Sequence, residues 1–395
     1  IYFAEPMFQD GIIAQAVDQV VLNDALYFSS AGNSSSRSYE SAFNNSGQDF
    51  LIDGNYAGVA HDFDPGPGVD ISQSITLQPY STLLMSFQWD EPFTSAGGLG
   101  SSSDYDIFLT LPGTDTIVAQ AIDNNIASGD PVEIISFTNY SGTAVNYDLV
   151  ITNYAGPDAG LMKYVDFGDA IINEYATNSG TIYGHANATG AQAIGAAAFY
   201  NTPEFGQSPP LLESFSSAGV VPILFDTAGN RLVSPDIRDK PILTAPDGTH
   251  TTFFGYDIGQ DPDSFPNFFG TSAAAPHAAA AAALLLDALP TATAEEIIFA
   301  LTETAIDMGT AGFDEDSGYG LIQVDAALDF LAGGSNGTPS DSIDLSTLDG
   351  TNGFRLDGID VDDYSGWSVS SAGDVNGDGF DDLIIGAYRA DPGSN

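Results

Sequence analysis

The chain has 395 residues, 43% of them hydrophobic, enough for one large core and one or two smaller ones. Its 54 acidic side chains against seven basic ones give a net charge of -47, which repels phosphate backbones and anionic headgroups and excludes nucleic acid as a partner. Cysteine is absent, so disulfides and thiol chemistry are excluded too, an absence that suits a secreted bacterial protein stabilised by ions.

In chain order, residues 9–21 (QDGIIAQAVDQVV) place Ile12, Ile13, Ala16, Val17 and Val20 on one helical face, and the apolar strand ALYFSSAGN follows. This is the first part of an α/β core, assigned to residues 1–48. From 49 to 167 the pattern changes to short strands (STLLMSFQW, YDIFLTL, TIVAQAI, VEIISFTNY, NYDLVIT) bounded by Gly, Pro, Asn or Asp. Such a run reads as a β-sandwich inserted into the α/β domain. The core resumes over 168–332, where GAQAIGAAAF forms a turn and a buried strand and helices are expected at 273–289 and 294–304. Ser272 announces the first helix, Pro276 sits in its first turn and Pro290 ends it. Thr293 and Glu296 form a capping-box pattern at the start of the second. A linker (333–350, opening GGSNGTP) leads to an Asp- and Gly-rich tail at 351–395. The longest apolar run, residues 278–286, is about half of a bilayer span, so no membrane insertion is expected. The chain opens at Ile1 without Met, basic leader or apolar signal run, and so reads as a fragment of a longer protein whose signal peptide is missing.

Two phrases carry chemistry: SSAGN (29–33) and FFGTSAAAPHAAAAAALLL (268–286). Between and after them come SFSSAG (214–219), LTAPDG (243–248) and GYGLIQVDAAL (318–328). Together, and in this order, they resemble the subtilisin-like (S8) serine peptidases, over roughly half the chain. The resemblance implies a parallel-sheet core in which Ser272 is the nucleophile and Asn33 an oxyanion-hole donor. Elementary physics agrees, since a serine at a helix N-terminus sits at the positive end of the macrodipole beside free N–H groups. Taken singly, each residue has a plainer role, a helix N-cap for Ser272 and a turn for Asn33.

The resemblance also implies a catalytic Asp and a base His upstream of the Asn, yet the 32 residues before Asn33 contain no His. A serine without its base is not activated at neutral pH, so this piece alone is expected to be inert. Residues 2–6 are then the remnant of a substrate-binding edge. Of the four histidines, His277 reads as packed or hydrogen-bonded. His61 could join Asp62 and Asp64 at a metal, and His185 and His250 match no base position of the family.

The insert resembles the pre-peptidase C-terminal type of sandwich through DYDIFLTL (104–111). That resemblance implies binding of substrate or of a matrix or surface ligand, a passive stabilising insert being the alternative; aromatics read as exposed, such as Tyr105 and Tyr140, do not decide. The tail phrase WSVSSAGDVNGDGFDDLIIGA (367–387) resembles an FG-GAP repeat, the first blade of an integrin-α-like propeller. Its Asp374, Asn376, Asp378 and Asp382 place hard oxygens at the spacing of a calcium loop, with Gly379 at the tight turn. The expectation is therefore a secreted serine endopeptidase acting on protein or peptide substrates, with calcium in its tail. The rival is a calcium-binding adhesive surface protein on a decayed protease scaffold.

Overall fold

The computed structural model describes residues 2–252, 254–261 and 263–333 in full, and the backbone of the strands Ser365–Gly373 and Asp382–Ala387. Two compact units are present, Ile1–Gly337 and Thr338–Asn395. In the first, three parallel strands are ordered Tyr27–Ser30, Ala191–Ala198, Leu243–Asp247, with Ser30 opposite Ile194 and Ala198 opposite Asp247. The central strand, AQAIGAAA, is a run of small apolar residues buried on both faces, as a parallel strand requires. Its shortness of side chain lets the helix Thr271–Ala288 lie close, with Ala274, Ala278, Ala281 and Leu285 packed on Ile194, Ala196, Leu243 and Ala245. The second helix, Ala294–Glu303, opens with the expected reciprocal capping box of Thr293 and Glu296.

The first helix corrects the expected face. It spans Ile12–Val21 and buries Ala14 and Val17 against Ala188 and Ala191, whereas Ile12 and Val20 are exposed. The small Ala14 permits the closer approach, and the helical period is kept while the buried stripe rotates.

Between the core segments lie a seven-stranded and a four-stranded antiparallel sheet, packed face to face over Trp89, Phe87, Tyr105 and Tyr164. The sandwich begins earlier than residue 49. Ser38–Ser41 already pairs with Met162–Asp166, and Ile171–Ile172 still pairs with Gln73–Leu77 beyond residue 167. Tyr105 is a core residue, 0% exposed, which overturns its reading as a surface aromatic; Tyr140 is exposed. In the tail, Ser365–Gly373 and Asp382–Ala387 pair antiparallel. Asp374, Asn376 and Asp378 lie outside the described residues, and Asp382 opens the second strand.

Candidate active site

The strand Tyr27–Ser30 runs into Gly32 and Asn33, which meet the N-terminus of the helix Thr271–Ala288. Asn33 Oδ1 accepts from the backbone N–H of Thr271 (3.0 Å) and from its hydroxyl (2.8 Å), and the same hydroxyl receives the N–H of Gly32 (3.2 Å). A backbone N–H can only donate, so the amide orientation follows and Nδ2 faces the open side. Ser272 is the second residue of the helix and is exposed; Gly270 occupies the N-cap without a side-chain bond, so Ser272 is not the cap. Among the described residues neither the Ser272 hydroxyl nor its N–H has a hydrogen-bond partner. The unpaired N–H and the Asn33 amide thus form a pair of donors at the positive end of a helix, beside an open hydroxyl. They line a cleft of about 220 Å³ together with Phe3, Gly32 and Phe167.

The sandwich helps build this cleft. Gln88 accepts the Met7 N–H (2.7 Å) and donates to the Glu5 carbonyl (2.8 Å), anchoring residues 2–9 so that Phe3 packs on Phe167 with ring centroids 4.8 Å apart. Residues 2–6 form a turn, with the Glu5 N–H on the Tyr2 carbonyl, rather than the strand that an edge remnant would be.

Sequence reasoning missed Asp247. Its buried carboxylate accepts the Gly270 N–H (2.7 Å) directly under the helix start, while Oδ1 is buried without a partner. Burial pushes this carboxyl up to about 7, with Glu213 adding to the rise against the Gly270 bond. Nothing in the phrase LTAPDG signals that the acid points inward.

None of the four histidines bonds to Ser272. His277 donates from Nδ1 to the Pro246 carbonyl (2.7 Å), the packed role expected of it. His61 is fully buried; Nδ1 accepts the Asn44 N–H (3.0 Å) and Nε2 meets the Tyr39 hydroxyl (2.7 Å), so no ring nitrogen is left for a metal with Asp62 and Asp64. Burial lowers its pKa to about 4. His185 is held by Glu5 through Nδ1 (2.7 Å), and the half-exposed His250 by Asp261 (2.9 Å) and Asp263 (3.3 Å).

This is a serine on a helix start, facing an asparagine from a neighbouring parallel strand, in an α/β core interrupted by a sandwich. The Subtilase family model matches residues 8–320, and the chain belongs to that family of peptidases. The FG-GAP repeat model matches residues 365–395, identifying the tail as a propeller-type repeat. The chain is similar to Fervidolysin of Fervidobacterium pennivorans, 43% identical over 65 residues, which is 16% of this chain and 9% of that protein. It is also similar to Minor extracellular protease Epr of Bacillus subtilis (strain 168), 47% identical over 57 residues, 14% of this chain and 9% of that protein. The matched stretches therefore span less than a tenth of either relative. A solved structure of the Clostridium perfringens CspB protease aligns over 83% of this chain and 66% of its own at 15% identity, with a TM-score of 0.45.

Proposed function

We propose that the chain is part of a secreted serine endopeptidase that cleaves protein or peptide substrates through an acyl-enzyme. Ser272 attacks the scissile carbonyl, and the Asn33 amide together with the Ser272 N–H receives the oxyanion. The base His and its orienting Asp come from residues outside these 395, in keeping with the order of the family's motifs, and this chain alone is inactive. The observation that carries the reading is the double hydrogen bond from Thr271 to Asn33 Oδ1, which turns the amide donors toward the side where Ser272 is open. A decayed scaffold has no need of that orientation. Extracellular location is supported by the similarity to Minor extracellular protease Epr. In the tail, Asp374, Asn376, Asp378 and Asp382 hold calcium, a reading supported by the FG-GAP match over 365–395.

The test is fluorophosphonate labelling. This chain should label no more than its Ser272→Ala variant, and a longer protein carrying the upstream residues should label at Ser272. A folded longer protein that stays unlabelled sinks the peptidase reading in favour of an adhesive scaffold. For the tail, calcium should protect the 351–395 segment from limited proteolysis and EGTA should remove the protection; equal cleavage in both overturns the calcium site.

A further inference from the structure

The sandwich has a second concavity on its outer face, of about 440 Å³. The strand Asp104–Thr110 alternates so that Tyr105, Ile107 and Leu109 enter the core between the sheets. Asp104, Asp106 and Phe108 therefore turn to the opposite face. There Phe108 packs with Phe50, Ala57 and Val150. The resulting pocket has apolar walls that include Ile52, Phe108 and Ile122. Two half-exposed tyrosines, Tyr56 and Tyr154, also line it, with ring centroids 5.9 Å apart. Asp53, Asp104 and Asp106 supply its carboxylates.

Asp106 is the unusual member. It is 7% exposed and lines the pocket, yet among the described residues no hydrogen bond or ion pair reaches its carboxylate. Asp104 accepts a single bond, from the Asn125 N–H (3.1 Å). Two other carboxylates of the sandwich are well partnered by contrast. Glu91 accepts from the hydroxyls of Ser101 and Ser103, from the N–H groups of Ser102 and Ser103 and from the Trp89 indole. Asp166 accepts three backbone N–H groups and faces Arg37. Burial, reinforced by Asp104, pushes the Asp106 carboxyl up to about 7. A carboxylate without a partner in such a site is costly to ionise, and positive charge bound beside it lowers that cost.

We propose that this pocket binds a cationic side chain of lysine or arginine type, presented by a basic peptide or protein. The apolar walls suit its alkyl stem, the carboxylates its charge, and the tyrosine faces add cation–π attraction. The strongly acidic molecule draws such a ligand in. A bare metal ion fits less well: among the described residues, only His250, Asp261 and Asp263 bring three ligand atoms within 4.8 Å of one another. The proposal is independent of the chemistry at Ser272.

The test is an NMR titration of the whole chain in phosphate buffer at moderate salt, with N-acetyl-lysine amide and N-acetyl-arginine amide as probes. N-acetyl-norleucine amide is the neutral control. Saturable binding of one cationic probe per chain is expected, at least tenfold tighter than the control and at least tenfold weaker in Asp106→Asn. The replacement removes charge and loses no hydrogen bond, so it should fold; should it not, Tyr56→Ala with Tyr154→Ala, both half-exposed, must weaken binding severalfold. Equal binding of the neutral probe, or undiminished binding in Asp106→Asn (in the double tyrosine variant, if that acid variant does not fold), overturns the proposal. So does calcium that binds this pocket and displaces the lysine probe.

Discussion

Asn33 and Thr271, 238 residues apart in sequence, hold each other by two hydrogen bonds that converge on one amide oxygen, 3.0 Å from the Thr271 N–H and 2.8 Å from its hydroxyl. Under the proposed mechanism the arrangement separates two tasks: Asn33 would donate to the reacting centre, and Thr271 fixes where that donor points. In a protein extended to include the base, Asn33→Ala should lower kcat about 100- to 1000-fold with little change in KM, the value known for subtilisin's own oxyanion asparagine rather than one obtained from this structure. Thr271→Val keeps the N–H but removes the hydroxyl that also receives Gly32, and should cost roughly tenfold in kcat, the worth of one oriented hydrogen bond. Steady-state kinetics checks both. A Thr271→Val effect confined to KM would mean that the threonine does not act through Asn33.

Gly270 links the same elements. Its φ of 137° and ψ of 154° lie in a region that side chains rarely adopt, and a Cβ there would come 3.3 Å from Asn33 Nδ2. Gly270→Ala should therefore destabilise the fold by about 1–3 kcal/mol. It should also displace the asparagine amide. Urea denaturation measures the first effect, and a midpoint equal to that of the parent would contradict the strained geometry.

The α/β frame and the Ser272 and Asn33 motifs were legible because their signals are local: a Gly-Thr-Ser before an Ala-rich run, a capping box, a strand ending in Gly-Asn. What was misread depends on distant pairing. Ser38–Ser41 looks like part of the core because its partner, Met162–Asp166, lies more than a hundred residues on. Tyr105 looked exposed because DYDIFLTL carries aromatic residues on both faces, Tyr105 inward and Phe108 outward, and alternation alone cannot say which face is wet. Asp247 and Asp106 leave no trace in sequence, since an acid in a turn-like phrase ordinarily reads as solvated.

The charge imbalance yields a salt dependence. Fifty-four acids and seven bases repel one another over a screening length of about 8–10 Å at moderate ionic strength. The surviving ion pairs are few among the described residues, with Lys163 on Glu40 at 2.9 Å and Arg238 on Asp10 at 2.7 Å the more buried ones. Screening therefore removes more repulsion than attraction. The melting temperature should rise between low and high sodium chloride, and a flat or falling curve by scanning calorimetry would show that self-repulsion does not limit stability.

Stability should also fall as pH rises from 6.5 to 8. Burial pushes Asp106 and Asp247 up to about 7 and Glu133 up to about 8, all far above the range of an unfolded carboxyl. A carboxyl with a raised folded pKa holds its proton in the folded chain after the unfolded chain has lost it. The stability it contributes is complete below the unfolded value and disappears as pH passes the folded one. Over this interval each group titrating at about 7 should remove about 1 kcal/mol. His61 acts in the opposite sense, because burial holds it down to about 4, but its effect on the slope lies mostly below the ordinary histidine range and so below this window. His250, raised chiefly by its bond to Asp261, acts in the same sense as the carboxyls. Melting curves at constant ionic strength should shift downward by a few degrees from pH 6.5 to 8. Asp247→Asn retains an oxygen for the Gly270 N–H and carries no charge to bury, so it should flatten part of that slope. A melting temperature that is constant or rises over the interval, or an Asp247→Asn variant with the parent's slope, would mean that these acids are solvated in the folded protein.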